Sequence, residues 1–216
     1  MNPHPDRRRL LAIGAMLPVI ARAQARGPTE GTEYKLVLPP QPVDSGSKIE
    51  VLEFFQYSCP HCFAFNPDLE AWRKKMPADV DYKRIHINWD NSTLNHTKLY
   101  YSLVQLGRLE VHDKVFAAIH VNHKRMLDPE EIADLMVANG IDRKQWMDMF
   151  NSFSTAALAN KAFQTWRAYK IDGTPTLGCD GRYLTSPAMV GARSGSLVVL
   201  DYLIQRARTD RGSAKK

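Results

Sequence analysis

Residues 49–57 (IEVLEFFQY) form a nearly unbroken apolar and aromatic run that leads straight into Cys59-Pro60-His61-Cys62. A run of that length, rich in β-branched and aromatic residues and bounded by turn signals, reads as a buried strand. Beyond it the period changes. Phe65, Leu69, Trp72 and Met76 recur at helical spacing, and Arg73, Lys74 and Lys75 sit near the far end, where the helix dipole favours cations. Pro67 should kink this helix, and Pro77 ends it. Two cysteines therefore stand where a buried strand gives way to a helix, which restricts the folds that can surround them.

The rest of the chain narrows the choice. Residues 34–43 suggest a short edge strand broken by prolines, and 80–87 a second central strand. Residues 92–150 are helical with short connections: Leu99, Leu103 and Leu106 make one stripe, and Val111, Val115 and Ile119 another. Asp128-Pro129-Glu130-Glu131 carries an N-cap, a first-turn proline and a capping acid, and Gly140 closes that helix. Asp142 opens the next, with Gln145 at N3. Ser154 is expected to start a longer helix ending near Gly173, with Leu158, Ala162, Trp166 and Tyr169 on one face. Residues 173–184 (GTPTLGCDGRYL) read as a hairpin, with strands at 176–179 and 182–184 and a turn at Asp180-Gly181. A last helix is expected over 194–208. The order, β-α-β, a helical block, then α-β-β-α, is that of an α/β thioredoxin-like fold carrying an inserted all-helical subdomain. The expected division is 26–88 plus 153–216 for the thioredoxin-like domain and 89–152 for the insert.

The first 25 residues are not expected to join that fold. Arg7, Arg8 and Arg9 precede an apolar run from 10 to 20, and both 21–23 and 23–25 fit an A-x-A cleavage site. The run is short for a bilayer span, so it reads as a cleavable signal peptide for ordinary secretion, with a weaker likeness to a twin-arginine signal. A soluble, extracytoplasmic, periplasmic protein is expected. Of the net charge of +6, this segment supplies +3 (four arginines, one aspartate), leaving +3 for the remainder. That balance is too mild to suggest a nucleic-acid partner, and the basic residues from Arg206 to Lys216 read as a solvated helix edge and tail.

Outside the cytoplasm thiols tend to become disulfides, but three cysteines (59, 62 and 179) are too few for a stapled framework. A C-x-x-C pair has several other uses. Half of a zinc site needs two more ligands, and no second close pair exists; Cys179 and a histidine could supply them. A c-type haem needs histidine after the second cysteine, where Phe63 stands. A structural bridge here closes too small a loop to restrain the unfolded chain much. Redox exchange fits the placement. Cys59 would occupy the N-cap, with Pro60 at N1 where a missing N–H costs nothing. Unpaired N–H groups and the dipole would then lower the Cys59 pKa. Cys62, one turn inside, would be more buried. His61, between them, could donate to the Cys59 thiolate and favour the reduced form; a solvent-facing histidine without a role is the alternative.

The stretch EFFQYSCPHCFAF resembles the DsbA family of periplasmic thiol–disulfide oxidoreductases, and the likeness extends through the helical block to GTPTL. It implies a redox-active Cys59–Cys62 disulfide, passed to unfolded secreted proteins and restored by a DsbB-like membrane quinone reductase. It also implies that Thr174 and Pro175 form a cis-proline loop facing the disulfide. Tyr57, Phe63 and that loop would offer apolar surface to extended peptide. Glu53, six residues before Cys59, would be a buried acid able to relay a proton to Cys62, with Lys83 or Arg84 as its basic partner. No metal or cofactor is expected, and the protein should act as a monomer. Family isomerases carry an N-terminal dimerisation domain for which residues 26–48 are too few. An isomerase or reductase, a non-redox zinc-binding module and a chaperone are the alternatives. Cys179 reads as a small buried strand residue rather than a third redox thiol. His120 and His123 read as helix surface rather than metal ligands, and Met126, Met136, Met147 and Met149 as core or groove filler.

Overall fold

The computed structural model describes residues 27–213, so the expected signal segment lies outside the described residues. A five-stranded mixed sheet forms the centre: β1 (Lys35–Leu36), β2 (Ile49–Phe55), β3 (Val80–His86), β4 (Thr176–Cys179) and β5 (Tyr183–Thr185). Their spatial order is β1-β5-β4-β2-β3. β2 pairs parallel with β3, from Ile49↔Val80 to Phe55↔His86, and antiparallel with β4, from Val51↔Cys179 to Phe54↔Thr176. Every residue of β2 is buried, as its lack of alternation predicts for a strand covered on both faces.

Helix α1 (Pro60–Arg73) is the crossover between β2 and β3. It runs unbroken through Pro67, although that residue cannot donate to the Phe63 carbonyl. With α8 (Arg193–Ser213) it covers one sheet face, where Phe65, Leu69, Leu200 and Leu203 pack on Val51 and Leu177. α6 (Phe153–Ala168) covers the other, where Trp166 and the following Tyr169 pack on Leu52 and Phe54. Gly178 permits this approach: a Cβ there would lie 3.2 Å from the Phe54 ring and 3.4 Å from that of Tyr169. Asp180 and Gly181, with φ of +53° and +68°, make the β4–β5 turn. A Cβ at Gly181 would collide with the Gln41 carbonyl at 2.0 Å, so the turn requires glycine.

Between β3 and α6 lie two 3₁₀ turns, Asn91–Thr93 and Leu109–Val111, and the helices α2 (Leu94–Leu106), α3 (His112–His120), α4 (Pro129–Ala138) and α5 (Arg143–Phe150). The expected caps form: Asp128 accepts from the Glu130 and Glu131 N–H groups, and Asp142 from that of Gln145. Leu99, Leu103, Val115, Phe116, Ile132, Met136, Trp146 and Phe150 make a core that also takes in Phe55, Tyr57 and Cys62. The helical insert thus roofs the point where β2 passes into α1.

Several boundaries differ from expectation. α6 is capped by Ser152, two residues before Ser154, and ends well before Gly173. Its end is closed by Lys170 at φ +53°, with Lys170 N–H donating to the Arg167 carbonyl and Ile171 N–H to that of Trp166. This is a Schellman closure with lysine where glycine is usual. A short helix, α7 (Pro187–Val190), capped by Ser186, follows β5, and α8 runs five residues past Arg208.

Candidate active site

The site begins with how β2 is held where it ends. The Tyr57 N–H donates to His86 Nε2 at 3.2 Å, and the Tyr57 carbonyl accepts from His120 Nε2 at 2.8 Å. One imidazole from β3 and one from α3 therefore satisfy both backbone polar groups of a buried residue, which would otherwise be costly to bury. Because His86 Nε2 accepts, its proton sits on Nδ1 and faces Thr97 Oγ1 at 2.9 Å. Burial holds His86 well below its usual pKa and therefore neutral, as this bond pattern needs.

Two residues on, Cys59 is the N-cap of α1, with Pro60 at N1 and no acidic side chain in the first turn. Its Sγ accepts from the Cys62 N–H at 3.4 Å. The Cys59 pKa is lowered from the usual 9.0 to about 5. The Cys62 thiol, donating to it, is the main cause; partial burial opposes, and the Thr174 hydroxyl and the N–H groups of Cys62 and His61 add to the lowering. The Thr174 carbonyl, 3.4 Å from Sγ, can accept only from the protonated thiol, so the hydroxyl and the carbonyl of one residue favour opposite states. Cys62 is fully buried, and burial, reinforced by Cys59, pushes its pKa up. At neutral pH Cys59 is therefore mainly thiolate, while Cys62 keeps its proton. All three cysteines are free thiols.

Opposite the pair, the Thr174–Pro175 peptide bond is cis, as the resemblance implied. His61 is exposed; its N–H contributes to the site, whereas among the described residues no hydrogen bond involves its imidazole. Phe63 is half-buried and stacks on His120, ring centroids 4.9 Å apart and 11° from parallel. The expectation for Tyr57 is corrected. It has no exposed surface for a peptide, because the insert covers it, and its hydroxyl pairs with His112 Nδ1 at 2.9 Å. A groove of about 570 Å³ opens beside the pair, with His61 and Ala64 on one side and Thr174, Pro175 and Met189 on the other.

Glu53 is buried, as its position in β2 predicts, and the register places it opposite Arg84. Arg84 Nε donates to its Oε2 at 2.7 Å and the Tyr82 hydroxyl makes a short bond to the same oxygen. Lys83, the other candidate, turns instead to Glu50 at 2.9 Å. Arg84 also reaches Glu70 and the Asn66 Oδ1. Burial opposes its charge, but the Glu53 carboxylate, with the Tyr82 oxygen and the bond to Glu70, outweighs it and keeps it charged. The hydrogen bonds of Glu53 run to Tyr82 and Arg84, not to Cys62. Burial is the main reason a Cys62 thiolate is unfavourable, and the charge of the nearby Glu53 carboxylate adds to it. Cys179 is fully buried in β4, opposite Val51, and burial pushes its pKa up. His120 is committed to the Tyr57 carbonyl, and His123 lies past the end of α3 at φ +56°.

The roles of His86 and Tyr82 are not legible in the sequence, and His120, read as helix surface, instead holds the Tyr57 carbonyl. Their bonds span 29 to 63 positions and leave no local pattern. The one available signal is the alternation of Tyr82, Arg84 and His86 along β3, which places three polar-capable residues on one strand face.

Residues 50–198 match the DSBA-like thioredoxin domain. The chain is 37% identical to the thiol:disulfide interchange protein DsbA of Burkholderia cepacia over 201 residues, covering 92% of this chain and 94% of that one. It is 40% identical to that of Bordetella parapertussis, covering 93% and 96%. The crystal structure of Pseudomonas aeruginosa DsbA superposes with a TM-score of 0.81 at 36% identity, over 87% of this chain and 97% of that one. An N-cap thiol above a buried partner, on this topology and at this level of likeness, places the chain in the DsbA family of thiol:disulfide interchange proteins, as a thioredoxin-like thiol:disulfide oxidoreductase.

Proposed function

We propose that the protein is a periplasmic dithiol oxidase that gives its Cys59–Cys62 disulfide to newly secreted, unfolded proteins. A client thiolate attacks Cys59 Sγ, the sulfur at the groove. The Cys59–Cys62 bond breaks and Cys62 leaves, taking up a proton in a setting where burial and the Glu53 charge disfavour its thiolate. A second client thiolate attacks the client sulfur of the mixed disulfide and expels Cys59 as a stable thiolate. The client loses two electrons and two protons in forming its disulfide, and the protein gains the two electrons. His61 adds to the stabilisation of the Cys59 anion at the mouth of α1. Thr174 and Pro175 hold the client backbone, and Phe63 supplies apolar surface at the edge. A DsbB-like, quinone-linked membrane protein takes the electrons away.

The observation that carries this reading is the unequal pair of sulfurs, one at a helix N-cap supported by donors and one buried beneath it. A stable Cys59 anion makes the reduced protein the favoured product, so electrons flow into it from clients. The test mixes stoichiometric oxidised protein with a reduced two-cysteine client and follows both by mass after acid quench. Transfer of the disulfide to the client is expected, with an equilibrium strongly toward reduced protein. An equilibrium on the side of the oxidised protein contradicts the proposal.

A further inference from the structure

We propose that the groove beside the Pro175 loop selects client segments with an acidic side chain next to the reacting cysteine. This rests on the oxidase reading and adds a client chemistry to it. Ala64, Pro175 and Met189 give the groove apolar walls, but its lining also carries Lys35, Lys170 and Arg193 against the single carboxylate of Asp172. Without His61 the balance is +2 (three cations less one anion). The internal pairs that could cancel this charge are weak. Lys35 lies 3.9 Å from Asp172, whose side chain is 86% exposed, and the Arg193–Asp68 pair is half-exposed at 3.1 Å. Such pairs are screened and exchange readily for a better partner.

Lys170 carries the argument furthest. It occupies the left-handed closing position of α6, where glycine costs nothing and a side chain is strained. The lysine there lines the groove despite the backbone strain of its position. Its Nζ donates to the Leu38 carbonyl at 3.1 Å, which leaves two of its three N–H groups free to bind. An extended client running past Thr174 and Pro175 toward Cys59 would set its flanking side chains between these cations and the apolar walls.

Opposite unit charges about 7 Å apart in water attract by roughly a factor of three in rate or affinity, so a change from lysine to glutamate in the client should be worth about ten-fold. The test uses oxidised protein and three single-cysteine peptides that differ only in a Glu, Gln or Lys two positions after the cysteine. The rate of mixed-disulfide formation is read by mass after acid quench. At ~20 mM salt the Glu peptide is expected to react about ten-fold faster than the Lys peptide, with the ratio falling toward one at ~500 mM. K170E with R193E should invert the order. Lys170→Gly, which relieves the strain and keeps the helix end, should lower the advantage of the Glu over the Gln peptide by about three-fold. Equal rates for the three peptides, or a ratio indifferent to salt and to charge reversal, overturn the preference alone. Failure of every peptide to attack the disulfide brings down the oxidase reading on which the preference rests.

Discussion

The mouth of α1 and the interior of the sheet beneath it hold the same chemical group in opposite conditions. Cys59 sits at the first, with donors converging on its sulfur and a pKa lowered to about 5. Cys179 sits in the second, in β4 beside the strand that delivers Cys59, and burial pushes its pKa up. Nothing in the thiol itself distinguishes them. The difference is the supply of hydrogen-bond donors against the loss of water, and it makes one sulfur a nucleophile and the other a packing group. The interior applies the same rule to charge: Glu53 and Arg84 persist there because each holds the other.

The sharpest way to break this comparison is to exchange the roles of the two thiols. Cys59→Ser should abolish client oxidation in a turnover assay, whereas Cys179→Ala should retain it and lose about 1–2 kcal/mol of stability in urea unfolding. A Cys179→Ala variant as inactive as Cys59→Ser would show that the sheet thiol takes part in the chemistry. The interior half is tested by Arg84→Met, which strands Glu53 and should cost about 3–5 kcal/mol, with partial recovery on adding Glu53→Gln. A cost below ~1 kcal/mol would mean that the interior does not penalise an unpaired carboxylate.

How much of the contrast is legible in the sequence follows from its range. The Cys59 N-cap, Pro60 at N1 and the buried Cys62 are local, and the strand-to-helix change of period announces them. The partner of Glu53 depends on the parallel register of β2 and β3, which no local pattern encodes; Lys83 and Arg84 differ by one position, and one position decides which sheet face is reached. The resemblance implied peptide-binding surface at Tyr57, yet the insert, remote in sequence, covers it. The end of α6 is hidden because lysine stands where glycine would have marked it. α7 is only four residues long, too short for a period, though Ser186-Pro187 is a start signal.

A smaller effect links the mouth of α1 to stability. A depressed thiol pKa means that the unfolded chain binds a proton which the folded chain does not, between about pH 5 and pH 9. The contribution is full above the unfolded value and is lost as pH falls through the folded one. Reduced wild type should therefore gain stability over Cys59→Ser as pH rises from 5 to 9, with no such gain below pH 4. A difference that is flat with pH would remove the favoured anion from the account. The smallest expected effect concerns His61. Since the Cys62 thiol, the Thr174 hydroxyl and two N–H groups already favour the anion, His61→Ala should raise the Cys59 pKa by about one unit, roughly 30 mV in reduction potential. A return to the free-thiol value would transfer the whole effect to the imidazole.

The most direct measurement is a pH titration of the reduced protein by thiolate ultraviolet absorbance, with Cys179→Ala as the control. One thiolate should appear with a midpoint near 5, unchanged in the control and absent in Cys59→Ser. A first transition near 9 would place both groups in the same condition and contradict the account.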